Sequence, residues 1–333
     1  MKIKATLLIT LLLFTKCAFA LDNSSMRTEP MSSYADVQDF ANEIAKKHKM
    51  NAATILKTFD NLYFNYRIIE YMDKPAEKRT WTYYSKNLIS KERIKGGRSY
   101  MRKWKTTLNR AYRAYGVPPA IITAIIGIET VYGKASLKYD AVTALSTLAF
   151  EYPRRSKYFK SELEGLFVLA SKEKVSPLSY ASSYAGAVGI AQFMPSNLIR
   201  YGKDGDRDKH VNIVSSHPDA IMSVANYMKE HGWQRNGDIL DLVKLKKEIA
   251  EPLFTNNPCD ISNKKSVKQW RELGVTFSKR YADNVSGVIS KLEEDDGSFT
   301  PVIFFANACA INRYNHSTKY TTATALLAKM LAR

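Results

Sequence analysis

Apolar positions recur at helical spacing over most of this chain. Val37, Phe40, Ala41, Ile44 and Ala45 define a first helix, and Asn51 caps a second that runs through Ile55 and Phe59. From Tyr63 to Tyr115 the sequence is dense in Tyr, Trp and Lys and reads as two or three helices interrupted around Gly96-Gly97. Its aromatic residues include Tyr71 and Trp104; most of the set reads as core and a minority as platforms for sugar rings. Beyond Tyr115 the pattern changes. Val117 to Gly133 is apolar on every face, opens with Pro118-Pro119 and ends at Gly133, which can close a helix in the left-handed conformation. Asp140 caps a helix through Leu148, Tyr152-Pro153-Arg154-Arg155 breaks the pattern, and Ser161-Glu162-Leu163-Glu164 reads as a capping box starting a helix to about Ala170. Pro218 and Asp219 start another helix, which passes through Tyr227 and Met228 and ends at Gly232. Between about Asp238 and Pro301, short apolar runs such as Val275-Thr276-Phe277 and Val288-Ile289 predict a strand-rich segment, with Lys264 to Leu273 open to a helical reading. Ala306 to Ile311 and Lys319 to Leu331 return to helix around a polar joint at Arg313-Tyr314-Asn315-His316-Ser317.

A helix hydrophobic all round is a core helix. Glu129, the one charge before its last turn, therefore lines a cavity in that core, or it lies on the solvent side of the helix end, or it pairs with one of the many cations. In the first case desolvation raises its proton affinity, which is how a general acid is made. The stretch from Ser182 to Ser196 carries Gly186 and Gly189 among small residues, allowing close backbone approach by a substrate or by a neighbouring helix. No acid occurs between Glu173 and Asp204, so that loop offers hydroxyls, an amide and rings. Arg154-Arg155 is either a solvated turn or a fork for a carboxylate.

Charge and export narrow the class. Lys2 and Lys4, the apolar run Ala5 to Phe14 and Ala18-Phe19-Ala20 have the form of a cleavable secretory leader, too short for a membrane span. Lys16 is wrong for the small residue that should precede a lipidated Cys17, so cleavage after Ala20 and a soluble periplasmic product are expected. Loss of the leader removes three lysines from a formal charge of +18, leaving a strongly basic chain suited to an anionic wall polymer or membrane surface. No block of five basic residues argues for nucleic acid. Cys259 and Cys309 remain, to pair or to stay as free thiols. Asp204, Asp206 and Asp208 stand at relative positions one, three and five, as in an EF-hand-like calcium loop. Lys209 occupies the glycine position and Ser215 that of the closing glutamate, which Asp219 could supply; the other reading is an exposed polar turn.

Taken together, Val117 to Gly133, Phe150 to Arg155, Ser183 to Ser196, Asp219 to Tyr227 and Arg313 to Ser317 resemble the lytic murein transglycosylase B family of peptidoglycan-cleaving enzymes. The resemblance implies a mainly α (α+β) fold with a lysozyme-like helical core. It divides the chain into a leader (1–20), a tail (21–33), an N-terminal helical domain (34–116), the catalytic core (117–238), a small β-containing subdomain (239–305) and C-terminal helices (306–333). It implies cleavage of the β-1,4 bond between N-acetylmuramic acid and N-acetylglucosamine with a 1,6-anhydro end, Glu129 serving as acid and then base. Saccharide contacts fall on Arg154, Arg155, Tyr158, Ser183, Gln192, Tyr227, Tyr314, Asn315 and Tyr320. A structural Ca2+ falls on Asp204, Asp206, Asp208, the carbonyl of His210, and Asp219, and no cofactor is required for the chemistry. The expected partner is the peptidoglycan glycan strand, met by a monomer without a transmembrane segment. Ordinary glycosidases need two carboxylates; here one suffices if the substrate's acetamido oxygen stabilises the cationic centre and its 6-hydroxyl attacks. A water-using muramidase and a non-catalytic wall-binding protein are the rival readings.

Overall fold

The computed structural model describes residues 26–74 and 79–333. The leader, Cys17 and the first part of the tail lie outside the described residues. Among the described residues fourteen α-helices dominate. The N-terminal set is α1 (Ala35–His48), α2 (Ala52–Lys57), α3 (Tyr66–Met72), α4 (Trp81–Leu88), α5 (Lys91–Lys103) and α6 (Lys105–Tyr115). The expected cap at Asn51 forms, its side chain accepting from the Thr54 N–H. The aromatic segment holds four helices rather than two or three, and Gly96-Gly97 lies inside α5; the break falls at Trp104. The glycines serve packing. A Cβ on Gly97 would come within 2.6 Å of both Leu331 Cδ2 and the Tyr132 hydroxyl.

At the centre is α7 (Pro119–Thr130), packed against α5, α6, α11 (His217–Glu230) and α14 (Thr318–Leu331). Pro119 opens it as expected, but it closes earlier than Gly133. Val131, Tyr132 and Gly133 all have positive φ, at 52°, 64° and 77°. A β-branched residue is costly there. The turn persists because it folds the Tyr132 ring back into a slot made by Gly96, Gly97 and Gly127, where its hydroxyl donates to the Arg93 carbonyl at 2.6 Å.

Next come β1 (Tyr139–Asp140), α8 (Ala141–Glu151), α9 (Ser156–Glu173), β2 (Ala181–Ser182) and α10 (Pro195–Tyr201), then α11. Asp140 caps α8 through the Thr143 N–H as its sequence predicts. The capping box at Ser161 does not exist: α9 already began at Ser156, and Glu162 is buried within it. Its carboxylate instead accepts from the Ser196 N–H at 2.9 Å and hydroxyl at 2.7 Å, capping α10 from a neighbouring helix. One apolar cluster runs from Val37 through α7 and α8 to Leu331.

The strand-rich segment comprises β3 (Leu240–Leu242), β4 (Lys244–Leu245), β5 (Lys265–Ser266), β6 (Val275–Thr276), β7 (Ser286–Glu293) and β8 (Phe299–Phe304). Four strands form an antiparallel sheet in the order β3-β8-β7-β5, with Ile289 opposite Ile303. Within it, the helical reading of Lys264 to Leu273 is realised as α12 (Val267–Glu272), opened by a capping box between Ser266 and Gln269. Its Trp270 packs with Ile289, Ile303 and Phe305 in a second core. α13 (Ala306–Tyr314) and α14 complete the chain, and Cys259 and Cys309 form a disulfide between the segment before β5 and α13. No single described helix is long and apolar enough to cross a membrane.

Replacing a mid-helix glycine by alanine ordinarily stabilises by up to about 1 kcal/mol. Gly97→Ala should do the opposite, losing about 1–3 kcal/mol because the added methyl overpacks the Tyr132–Leu331 contact. Urea denaturation of the variant beside the parent checks the sign.

Candidate active site

Glu129 lies in the last turn of α7, partly shielded from water. Tyr320, one turn into α14 and 3% exposed, donates its hydroxyl to Glu129 Oε1 at 2.7 Å. Among the described residues Glu129 has no ion-pair partner, which removes the reading of a carboxylate beside a cation. Burial pushes its carboxyl up to about 7, against the Tyr320 hydrogen bond, which favours the ionised form. No second carboxylate enters that balance.

The helix end is fastened to the glycine-bearing loop. Thr130 Oγ1 donates to the Ile190 carbonyl at 2.7 Å and accepts from the Gly133 N–H at 3.1 Å. The loop folds on itself through Ser183 N–H to the Ala187 carbonyl and through Val188 paired with Phe193. Gly189 admits no side chain, since a Cβ would meet the Ile213 carbonyl oxygen at 2.3 Å. Gln192 has a φ of 51°, and its amide nitrogen donates to the Ala187 and Gly189 carbonyls at 3.1 and 2.9 Å. The amide oxygen is then the group it can offer a ligand.

Tyr314, half-buried at the end of α13, donates to the Ala191 carbonyl at 2.5 Å, so the polar joint is tied to the same loop. Proximity to Glu129 adds to the burial that raises the Tyr314 and Tyr320 hydroxyls well above the usual phenol value. Thus Tyr320 and Tyr314 stand close to Glu129, and the loop that carries Ser183 and Gln192 is tied to the same helix end and to Tyr314. Asn315 is exposed beside them. Tyr227 differs from expectation. It is 4% exposed, donates to the Arg313 carbonyl at 2.5 Å and stacks on His231, with its ring 5.0 Å from that of Tyr314. It backs Tyr314 and presents no face to a sugar in this conformation.

Arg154, Arg155 and Tyr158 form a separate cluster where α8 meets α9. Arg154 pairs with Asp73 and lies over Tyr152, while Arg155 lies over the Tyr158 ring at 4.4 Å. Burial, then Glu162, pushes the Tyr158 hydroxyl up to about 12. Glu162 connects this cluster to the loop by holding Ser196, four residues after Gln192. Two features escaped the sequence reading. Tyr71 and Tyr184, both substantially exposed, pair at 5.6 Å beside Ser183, although they lie far apart in the chain. Glu162 carries no local signal beyond its place inside the Ser161-Glu162-Leu163-Glu164 motif, and only a long-range contact shows its role.

The acidic loop is partly as expected. Carboxylate oxygens of Asp204, Asp206 and Asp219 lie within 4.8 Å of one another. Asp219 is buried, each of its oxygens accepting one backbone N–H at 2.7 Å, from Gly205 and from Asn212. Lys209 adopts the left-handed φ of 76° that the glycine position demands. Asp208 falls outside that group, its carboxylate accepting from the His210 N–H, and the His210 ring faces Glu173 at 3.3 Å. Three hard-oxygen donors with like charge at this spacing fit a divalent cation of the calcium type.

This fold, with one acid at the end of an apolar core helix against a glycine loop, defines a glycan-cleaving enzyme of the lysozyme-like class. Residues 32–329 match the family described as transglycosylase SLT domain, and the chain belongs to it. It is 32% identical over 307 residues to the membrane-bound lytic murein transglycosylase B of Escherichia coli K12, covering 89% of this chain and 82% of that protein. Among solved structures it is similar to the catenated lytic transglycosylase SltB1 of Pseudomonas aeruginosa (TM-score 0.83, 34% identity, 91% of this chain and 98% of that one). It is also similar to the Escherichia coli lytic transglycosylase Slt35 in complex with calcium (TM-score 0.81, 31% identity, 93% and 97%).

A carboxyl that holds its proton more tightly when folded makes stability fall as pH rises between the ordinary carboxyl value and about 7. Below that window both states are protonated and the cost vanishes. Glu129→Gln should therefore be more stable than the parent at pH 8, by about 1–3 kcal/mol, and close to it at pH 4. Denaturant midpoints at the two pH values test this.

Proposed function

We infer that this chain is a peptidoglycan lytic transglycosylase in which Glu129 carries both proton transfers. The observation that carries the reading is the partly buried Glu129, which among the described residues has no ion-pair partner and the Tyr320 hydroxyl as its one side-chain hydrogen-bond partner. A carboxyl poised near 7 is protonated often enough to donate and ionised readily enough to accept. Glu129 first protonates the glycosidic oxygen of the leaving N-acetylglucosamine as that bond to the muramyl anomeric carbon breaks. The muramyl acetamido oxygen shares the positive charge that develops. Glu129, now ionised, takes the proton of the muramyl 6-hydroxyl, whose oxygen bonds to the anomeric carbon and closes the 1,6-anhydro ring. The proton count balances without water and without a second carboxylate.

The other residues position the strand. Gln192 and Ser183 bind acetamido groups, Tyr314 and Asn315 line the sugar beside Glu129, and Arg154, Arg155 and Tyr158 meet wall carboxylates farther along. Tyr320 orients the acid and limits how tightly it keeps its proton. Asp204, Asp206 and Asp219 would hold Ca2+, and the similarity to Slt35, solved in complex with calcium, supports an ion in this chain. Bound there, the ion would brace the loop against the start of α11 and take no part in bond cleavage. The leader-like residues 1–20 and the basic charge support a periplasmic enzyme working on murein strands.

Digestion of purified sacculi should release muropeptides one water lighter than hydrolysis products; masses of the hydrated kind would mean a muramidase instead. Glu129→Gln should lower kcat by about 10²–10⁴ with glycan binding retained, the range that general acid catalysis contributes.

The alkaline limb of kcat/KM should fall above about 7, since the free enzyme must carry the Glu129 proton. Tyr320→Phe removes a hydrogen bond to the ionised form, so that limb should move to higher pH. An unmoved limb would take Tyr320 out of this role.

A further inference from the structure

Away from the active site, α5 carries Lys91, Lys95, Arg98 and Arg102 at helical spacings of four, three and four, all exposed on one face. They converge on a depression of about 290 Å3, completed by Ile94. No acid lines it. Among the described residues none of the four forms an ion pair, whereas Arg27, Lys47, Arg154, Arg271, Lys279, Lys291 and Lys319 all do. Arg98 donates to the Met330 carbonyl at the end of α14, which fixes one cation at the rim without neutralising it. Like charges at i and i+4 on a helix repel, and here the repulsion is concentrated around a concavity. The opposite face of α5 is committed: Gly96, Gly97 and Tyr100 pack inward against Tyr132 and Leu331.

We propose that the α5 face formed by Lys91, Lys95, Arg98 and Arg102 docks the protein on a bilayer surface bearing anionic phosphate headgroups. Charge complementarity carries the assignment. The twelve residues from Lys91 to Arg102 extend about 16 Å, long enough to lie across several headgroups rather than grip one soluble anion. The depression accommodates one phosphate among four cations, with Ile94 as its one apolar lining residue, suited to the ester-linked portion. Flexible lysine and arginine stems reach into the headgroup layer while the helix stays outside it. The surface is independent of the chemistry at Glu129.

The test is co-sedimentation of the full chain with vesicles of phosphatidylcholine alone or with phosphatidylglycerol, at low and high salt. Binding is expected to the anionic vesicles, to fall steeply with salt, and to drop by at least about a hundredfold in the quadruple variant K91E/K95E/R98E/R102E. A second quadruple variant, K46E/K57E/K229E/K268E, makes the same change in net charge at other exposed sites and should keep most of the binding. Equal loss in both variants would mean that only overall charge matters, and full binding by the α5 variant would also overturn the proposal. Competition by millimolar inorganic phosphate that abolished vesicle binding at constant ionic strength would point to a soluble-anion site instead. Cleavage of soluble glycan strands by both variants verifies the fold, so loss of vesicle binding with turnover intact separates this surface from the active site.

Discussion

The rest of the structure depends on the withdrawal of one carboxyl from water at the end of a helix that is apolar on every side. Apart from its partly exposed last turn, α7 is buried nearly throughout, and four helices press on it. Under those conditions ionisation of Glu129 is penalised by desolvation, and a single hydroxyl from α14 sets how far the penalty goes. Such a group is stable in neither protonation state by a wide margin. That property lets one residue do what two carboxylates share in most glycosidases, and it explains why the surrounding loop contributes backbone carbonyls, an amide and hydroxyls but no acid.

Holding that carboxyl in place takes a chain of contacts that the linear sequence does not reveal. Thr130 links the helix end to Ile190, Tyr314 links the joint after α13 to Ala191, and Glu162 anchors Ser196 just beyond the loop. Each is a side chain satisfying a group that would otherwise lie buried and unpaired, so each is constrained by geometry from both sides. The loop carrying Gln192 is therefore gripped at three points before any ligand arrives. Preorganisation of this kind reduces the entropy lost on binding a long glycan.

Much of this was legible in the residues, and the parts that were not share a cause. Local signals account for the caps at Asn51 and Asp140 and the proline start of α7, for part of the acidic loop, and for a helix in the segment from Lys264 to Leu273 that the pattern alone leaves open. Misreadings came where a long-range contact overrode a local rule. Gly96-Gly97 looked like a break and is a socket for Tyr132; Ser161-Glu162-Leu163-Glu164 looked like a cap and is the interior of α9; Gly133 looked like a stop, yet Val131 takes the strained position first. The resemblance implies a saccharide contact at Tyr227, and its burial behind Tyr314 is decided by packing that no spacing encodes. Lys209 shows the converse, a residue that departs from the expected glycine and still takes its backbone conformation.

The bond between Cys259 and Cys309 joins residues fifty positions apart, so the interval containing α12 and most of the sheet becomes a covalently closed ring anchored on the helix that leads to Tyr314. Such a ring closes only in an oxidising environment. The fold of that interval, and with it the support behind Tyr314, therefore depends on the redox state of its surroundings: under reducing conditions the sheet and α12 are tied to α13 by packing alone.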